Sequence, residues 1–169
     1  RRKTARILVQ EKEMCMKKGE IYEGRVQEVL FPDKAIVVTD EGETAQVKYG
    51  IPGQKLRFRV KKKRKEKIEG ILLEILEKSA DETACLCEWA GKCGGCLYQT
   101  LPYEKQLAIK ETQIKKMLDN GGTDYTFEGI VSSPVVSGYR NKVELTFGDS
   151  YMGGPLALGM HQRGSFYDI

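Results

Sequence analysis

The tightest constraint on the fold of this chain is a period of two. Leu56, Phe58 and Val60 alternate with Arg57, Arg59 and Lys61. Only an extended strand sends successive side chains to opposite faces. Ala45, Val47 and Tyr49 alternate with Gln46 and Lys48 in the same way, and Ala35-Ile36-Val37-Val38-Thr39 is a short β-branched run. Ile71, Leu73 and Ile75 are spaced to line one face of a later strand, with Leu72 and Leu76 making its outer face apolar too. Turn residues part these runs: Pro32-Asp33-Lys34, Asp40-Glu41-Gly42, Gly50-Ile51-Pro52-Gly53 and the charged tip from Lys61 to Lys67. Residues 19–78 thus predict about five short strands, the number of a small OB-like barrel.

The texture then changes. Ser79-Ala80-Asp81-Glu82 is polar, and a cysteine- and glycine-rich loop follows it. Tyr103 to Leu118 predicts a helix with Tyr103, Leu107, Ile114, Met117 and Leu118 near one stripe. Pro102 suits its first turn, and Asn120-Gly121-Gly122 supplies its stop. Strand-like runs return at Phe127–Val131, Tyr139–Phe147 and Leu156–Met160. The expected class is mainly β with α. It comprises an N-terminal extension (1–18), a five-stranded OB-like barrel (19–78), a cysteine loop with one helix (79–122), and the start of a β-rich α+β domain (123–169). The chain opens on Arg1 and closes at Phe166-Tyr167-Asp168-Ile169 inside a strand-like run, so a piece of a longer protein is expected.

Charge narrows the partners. The 169 residues carry 28 Lys and Arg against 24 Asp and Glu, a formal net charge of +4. That balance is mild, but its distribution is not. Positive charge gathers at Arg1, Arg2, Lys3 and Arg6, and again from Arg57 through Lys67. Strand alternation turns Arg57, Arg59 and Lys61 outward together, which makes a phosphate-contact surface. The competing reading is a solvated hairpin. No apolar run approaches the ~18 residues of a membrane span, and no signal-peptide stretch follows the basic start. A cytoplasmic protein with no membrane partner is therefore expected.

Four of the five cysteines lie within Cys85-Leu86-Cys87-Glu88-Trp89-Ala90-Gly91-Lys92-Cys93-Gly94-Gly95-Cys96; the fifth is Cys15. Such a tight group, with no secretion signal, reads as a metal or iron–sulfur site before a disulfide framework. Cys93 and Cys96 form a C-x2-C knuckle, in which two thiolates reach one metal and the glycines free the backbone to take positive φ and bond sulfur. With Cys87 the spacing C-x5-C-x2-C offers three thiolates to a [4Fe–4S] cube, Cys15 being a candidate fourth. A zinc site would use Cys85, Cys87, Cys93 and Cys96, although the C-x-C end is shorter than usual zinc spacing. A thioredoxin-type redox pair lacks its βαβ setting.

The barrel, the C-x5-C-G-G-C and the following Gln99, Tyr103, Gln106, Leu107 and Lys110 together resemble the bacterial RNA (uracil-5-)-methyltransferases, in particular the branch acting on ribosomal RNA. Ser133-Pro134, Gly138-Tyr139-Arg140-Asn141-Lys142-Val143-Glu144-Leu145 and Leu158-Gly159-Met160-His161-Gln162-Arg163-Gly164-Ser165 resemble that family's central domain. The resemblance runs from about residue 17 to the end. It implies that the barrel is an RNA-binding TRAM domain and that Cys87, Cys93 and Cys96 hold a [4Fe–4S] cluster, with a fourth ligand just past Ile169. It implies a separate domain that binds S-adenosylmethionine and carries the catalytic Cys, so no catalytic or cofactor-binding residue is assigned in this chain. In that chemistry a thiolate adds at uracil C6, C5 takes the methyl group, and a base removes the C5 proton from a target first drawn out of its stack. Arg57, Arg59, Lys61, Lys62, Lys63, Arg64 and Lys65 become the expected RNA phosphate contacts, with Tyr139, Arg140 and Lys142 near the target loop. One departure is Asp81-Glu82-Thr83-Ala84-Cys85-Leu86, where the family often has Arg and Pro. Cys85 is therefore an extra thiol, which keeps the zinc alternative open.

Overall fold

The computed structural model describes residues 16–65, 67–165 and 167. Five strands come first: β1 (Ile21–Leu30), β2 (Lys34–Val38), β3 (Thr44–Lys48), β4 (Lys55–Arg64) and β5 (Lys67–Glu77). The helix α1 (Tyr103–Gly121) and the short strands β6 (Thr146–Asp149) and β7 (Leu156–Gly159) follow. The first five strands form a ring in the order β1-β2-β3-β5-β4, with β4 pairing back onto β1. Every pairing in it is antiparallel except β3 with β5, which meet in parallel through Gln46–Glu69 and Val47–Gly70. The five-stranded OB-like architecture read from the sequence is thus present as a ring.

The ring closes because β1 serves two partners. Its first half, Ile21–Arg25, pairs with β4, and its second half, Arg25–Leu30, pairs with β2. Gly24 sits at the changeover. A Cβ there would lie 2.5 Å from the Val38 carbonyl oxygen and 2.8 Å from Val37 Cγ1. Only glycine lets the backbones approach this closely at a barrel corner. Inside the ring, Leu56, Phe58 and Val60 of β4 are buried, as the alternation requires, together with Val26, Ala35, Val37, Ala45, Val47 and Ile68. Each such Val, Leu, Ile or Phe contributes roughly 1.5–3 kcal/mol by leaving water.

Three expectations change. On β5 the buried residue is Ile68, Leu72 packs against the core, and Ile71, Leu73 and Ile75 are exposed. Ile71 pairs with the outward Arg59, Leu73 is the extra residue at the Arg57/Phe58 register shift, and Ile75 stands opposite Leu56 near the end of the strand, so the three do not share one face. On α1 the apolar stripe is not the packed face. Ile114, Met117 and Leu118 are exposed, while Gln113 is buried and Ile109 packs on the core. In the last third, Phe127–Val131 and Tyr139–Val143 are not strands, and β6 and β7 pair with each other. Alternation makes a strand only where a neighbour supplies the ladder of hydrogen bonds, and these runs have none.

The helix ends do follow the sequence. Pro102 precedes the first turn, its carbonyl accepting from the N–H groups of Lys105 and Gln106. Gly122 closes the helix in the left-handed conformation at φ 67°. No helix among the described residues is long and apolar enough to cross a membrane.

Candidate nucleic-acid interface and cysteine loop

The basic residues of β4 share one strand but not one environment. Arg57 is held between Glu23 of β1 and Glu74 of β5. Its Nε and Nη2 donate to Glu23 Oε1 at 3.0 and 2.8 Å, and its Nη1 donates to Glu74 Oε2 at 2.6 Å. The hydrogen bond to Glu23, with the charges of both carboxylates, pushes its pKa above the ordinary value. Its charge is compensated within the sheet. Arg59 stands between Ile21 and Ile71 on the neighbouring strands, both half exposed. Lys63 donates from Nζ to the Met16 carbonyl at 3.0 Å, tying the segment before β1 to the hairpin.

The remaining cations crowd towards the hairpin tip. Among the described residues, Arg59, Lys61, Lys62, Arg64 and Lys65 form no ion pair. Lys65 turns the tip with a positive φ of 45°, and the exposed Lys67 follows it. Like charge that forms no ion pair among the described residues is what attracts polyanions. Of the other sequence candidates, Tyr139 and Arg140 are exposed on a separate irregular segment, and Lys142 there pairs with Glu144 at 2.6 Å. In sequence Arg57 and Lys63 look like the other cations of the strand, because a cross-strand carboxylate or a distant carbonyl leaves no local signal. Arg1, Arg2, Lys3, Arg6 and Cys15 lie outside the described residues.

Cys85, Cys87, Cys93 and Cys96 are free thiols, the first three half-buried and Cys96 exposed. They lie on a loop without regular structure, as read from its glycines. The knuckle is formed locally: the Gly95 N–H donates to Cys93 Sγ at 3.3 Å, the bond that stabilises a thiolate. Gly94 and Gly95 serve close approach and not positive φ, which here belongs to Gly91. A Cβ on Gly94 would lie 3.1 Å from the His161 carbonyl oxygen, and one on Gly95 would lie 3.1 Å from Met160 Cε. The donor chemistry therefore suits a thiolate-bound zinc or iron–sulfur group. Among the described residues, no three His, Cys, Asp or Glu side chains are gathered closely enough to hold an ion, so the loop carries the donors without closing them.

Tyr103 and Gln106, which follow the loop in sequence, make their polar contacts away from it. Tyr103 Oη accepts from the Ser133 N–H at 2.8 Å, and Gln106 Nε2 donates to the Leu101 carbonyl at 2.9 Å. Trp89 is half exposed with Lys92 Nζ 5.9 Å from its ring centre, so it sits at the surface beside the loop. What reaches the knuckle is the turn after β7. The Gly94 N–H donates to the His161 carbonyl at 2.9 Å, Cys93 bridges Gln162, and the Arg163 N–H donates to the Lys92 carbonyl at 2.7 Å.

No protein-family model matches the chain. Curated relatives do. It is 42% identical over 157 residues to a protein of Clostridium tetani named "Uncharacterized RNA methyltransferase", covering 92% of this chain and 34% of that protein. It is 44% identical over 155 residues to a protein of the same description from Caldanaerobacter subterraneus subsp. tengcongensis, covering 91% of this chain and 34% of that one. A similarly named protein of Chlorobaculum tepidum is 29% identical over 178 residues, covering 95% of this chain and 37% of that one. The chain spans about a third of the length of these relatives. Over the third of their length that it spans, this chain is similar to these proteins named RNA methyltransferase.

Proposed function

We propose that this chain supplies RNA recognition to an S-adenosylmethionine-dependent RNA (uracil-5-)-methyltransferase acting on ribosomal RNA. The observation that carries the reading is the basic tip of the β4–β5 hairpin on an OB-like ring, whose Arg59, Lys61, Lys62, Arg64 and Lys65 form no ion pair among the described residues, in a chain whose relatives are named RNA methyltransferases. In such rings the loop between the fourth and fifth strands is an oligonucleotide-binding element. Arg59, Lys61, Lys62, Arg64 and Lys65 contact phosphates there, while Arg57 holds the sheet together. Methyl transfer, with its S-adenosylmethionine site, belongs to the remaining two thirds of the relatives' length.

Cys87, Cys93 and Cys96 are the proposed ligands of a [4Fe–4S] cluster, and bound there it would cross-link the loop to its own knuckle. A structural four-thiolate zinc site is the second reading, favoured by the half-buried Cys85 on the same loop. Anaerobic purification separates the two. Iron and sulfide with a broad visible band are expected, and stoichiometric zinc without that band would sink the cluster.

The RNA reading is tested by anisotropy titrations of a labelled single-stranded ribosomal RNA fragment over a range of salt. Changing Arg59, Lys61, Lys62, Arg64 and Lys65 to Ala should flatten the slope of log K against log salt by about 0.7 per lost contact. Arg57→Ala should leave it nearly unchanged. An equal loss from Arg57→Ala alone, or no loss from the fivefold variant, overturns the assignment.

A further inference from the structure

The turn after β7 brings one side chain onto both halves of the cysteine knuckle. Arg163 Nε donates to the Cys93 carbonyl at 3.1 Å, and its Nη2 donates to the Cys96 carbonyl. Its own N–H holds the Lys92 carbonyl one residue upstream. The guanidinium also lies over the ring of Tyr49, with Cζ 5.4 Å from the centroid. Tyr49 itself sits just past β3 in the left-handed region, at φ 69°, its N–H donating to the Asp33 carbonyl at 3.3 Å. A bulky residue in that region is rare, and its strain persists only where surrounding structure holds it.

These contacts form one chain from the ring to the thiols. A knuckle works by the spacing of two Sγ atoms, and that spacing follows the shape of the turn between them. Fixing the carbonyls of both cysteines fixes the turn. Only a planar fork of donors bridges two carbonyls and stacks on a ring at once; an ammonium group does not.

We infer that Arg163 is the positioning residue of the Cys93–Cys96 knuckle, with Tyr49 holding Arg163 in place from the ring. The inference rests on the reading of this loop as a thiolate metal site. Groups behind the ligands commonly set metal affinity by orienting the donors.

The test uses the full chain, its Arg163→Ala and Arg163→Lys variants, and two readouts. The first is Co2+ titration followed by thiolate-to-cobalt charge-transfer absorbance. The second is alkylation of the metal-free protein with iodoacetamide, resolved cysteine by cysteine by mass spectrometry. Arg163→Ala should weaken cobalt binding about ten- to hundredfold. It should also speed alkylation of Cys93 and Cys96 about tenfold, with Cys85 and Cys87 unchanged. Arg163→Lys should restore neither. Wild-type affinity together with a wild-type alkylation pattern in Arg163→Ala overturns the inference. If that variant does not fold by circular dichroism, Arg163→Lys decides on the same two readouts. If the wild-type chain binds no cobalt, the metal reading fails, and the alkylation pattern alone decides the positioning role.

Discussion

At the scale of single residues, a side chain's neighbours decide its use more than its type does. Arg57 and Arg64 lie on the same basic strand. Arg57 is spent on Glu23 and Glu74, and Arg64, near the tip, forms no ion pair among the described residues. Arg25 repeats the first pattern, its Nη2 lying 2.6 Å from Glu77 Oε2. That hydrogen bond, and the guanidinium charge with it, holds the Glu77 carboxyl below its ordinary value. The sign follows: the pair supports the fold above the unfolded carboxyl value and is lost as pH falls through the lower folded one. Both groups are exposed, so the effect is salt-screened and small. Gly24 is the residue where one added carbon does most harm, because its neighbour is backbone. Gly24→Ala should destabilise the chain by about 1–3 kcal/mol, read as a lower urea midpoint at unchanged m-value. A neutral result would mean that β1 turns its corner some other way.

At the scale of elements, α1 is joined to the ring by a polar contact where an apolar stripe is expected. Gln113 Nε2 donates to the Val29 carbonyl of β1 at 3.1 Å and to Tyr98 Oη at 3.2 Å. Lys116 pairs with Glu28 one turn further on. Gln113→Ala leaves a buried carbonyl and a hydroxyl without their donor and should cost about 1–3 kcal/mol in urea unfolding. Burial raises the Tyr98 phenol above its ordinary value near 10, more than the Gln113 hydrogen bond lowers it. Its contribution is therefore fully present below that ordinary value and is lost as pH rises through the higher folded one. Tyr98→Phe should make stability fall less steeply above about pH 10. An unchanged alkaline limb would place the titrating group elsewhere.

At the scale of the whole molecule, a closed ring carries a helix on β1, and the turn after a β-hairpin joins the cysteine loop to the ring at Tyr49. The hairpin is slight. Phe147 and Leu158 face one another across β6 and β7 and are 73% and 54% exposed. A two-stranded sheet is marginal by itself, and the attachment of its following turn to Lys92–Cys96 and Tyr49 anchors it here. This arrangement places the cysteine loop between ring and hairpin, so a group bound to the thiols would stabilise both by mass action.

Much of this was legible in the residues themselves. Four strands of the ring, its turns, the inward set Leu56, Phe58 and Val60, both ends of α1 and the loop character of the cysteine segment all follow from local rules of backbone geometry, whereas no run marked β1. Such rules act within a few residues, so the sequence displays them directly. The faces of β5 and α1 do not follow, because ladder bulges interrupt the strand's alternation and a buried glutamine took the place of an apolar anchor. Nor does the division of the basic strand between Arg57, which holds the sheet, and the tip. Glu23 and Glu74 lie 34 and 17 residues from Arg57 along the chain, and Arg163 lies 70 and 67 residues from Cys93 and Cys96. Period and turn chemistry are properties of neighbours in sequence. Charge compensation and the bracing of a knuckle are properties of neighbours in space, and only the folded ring brings those together.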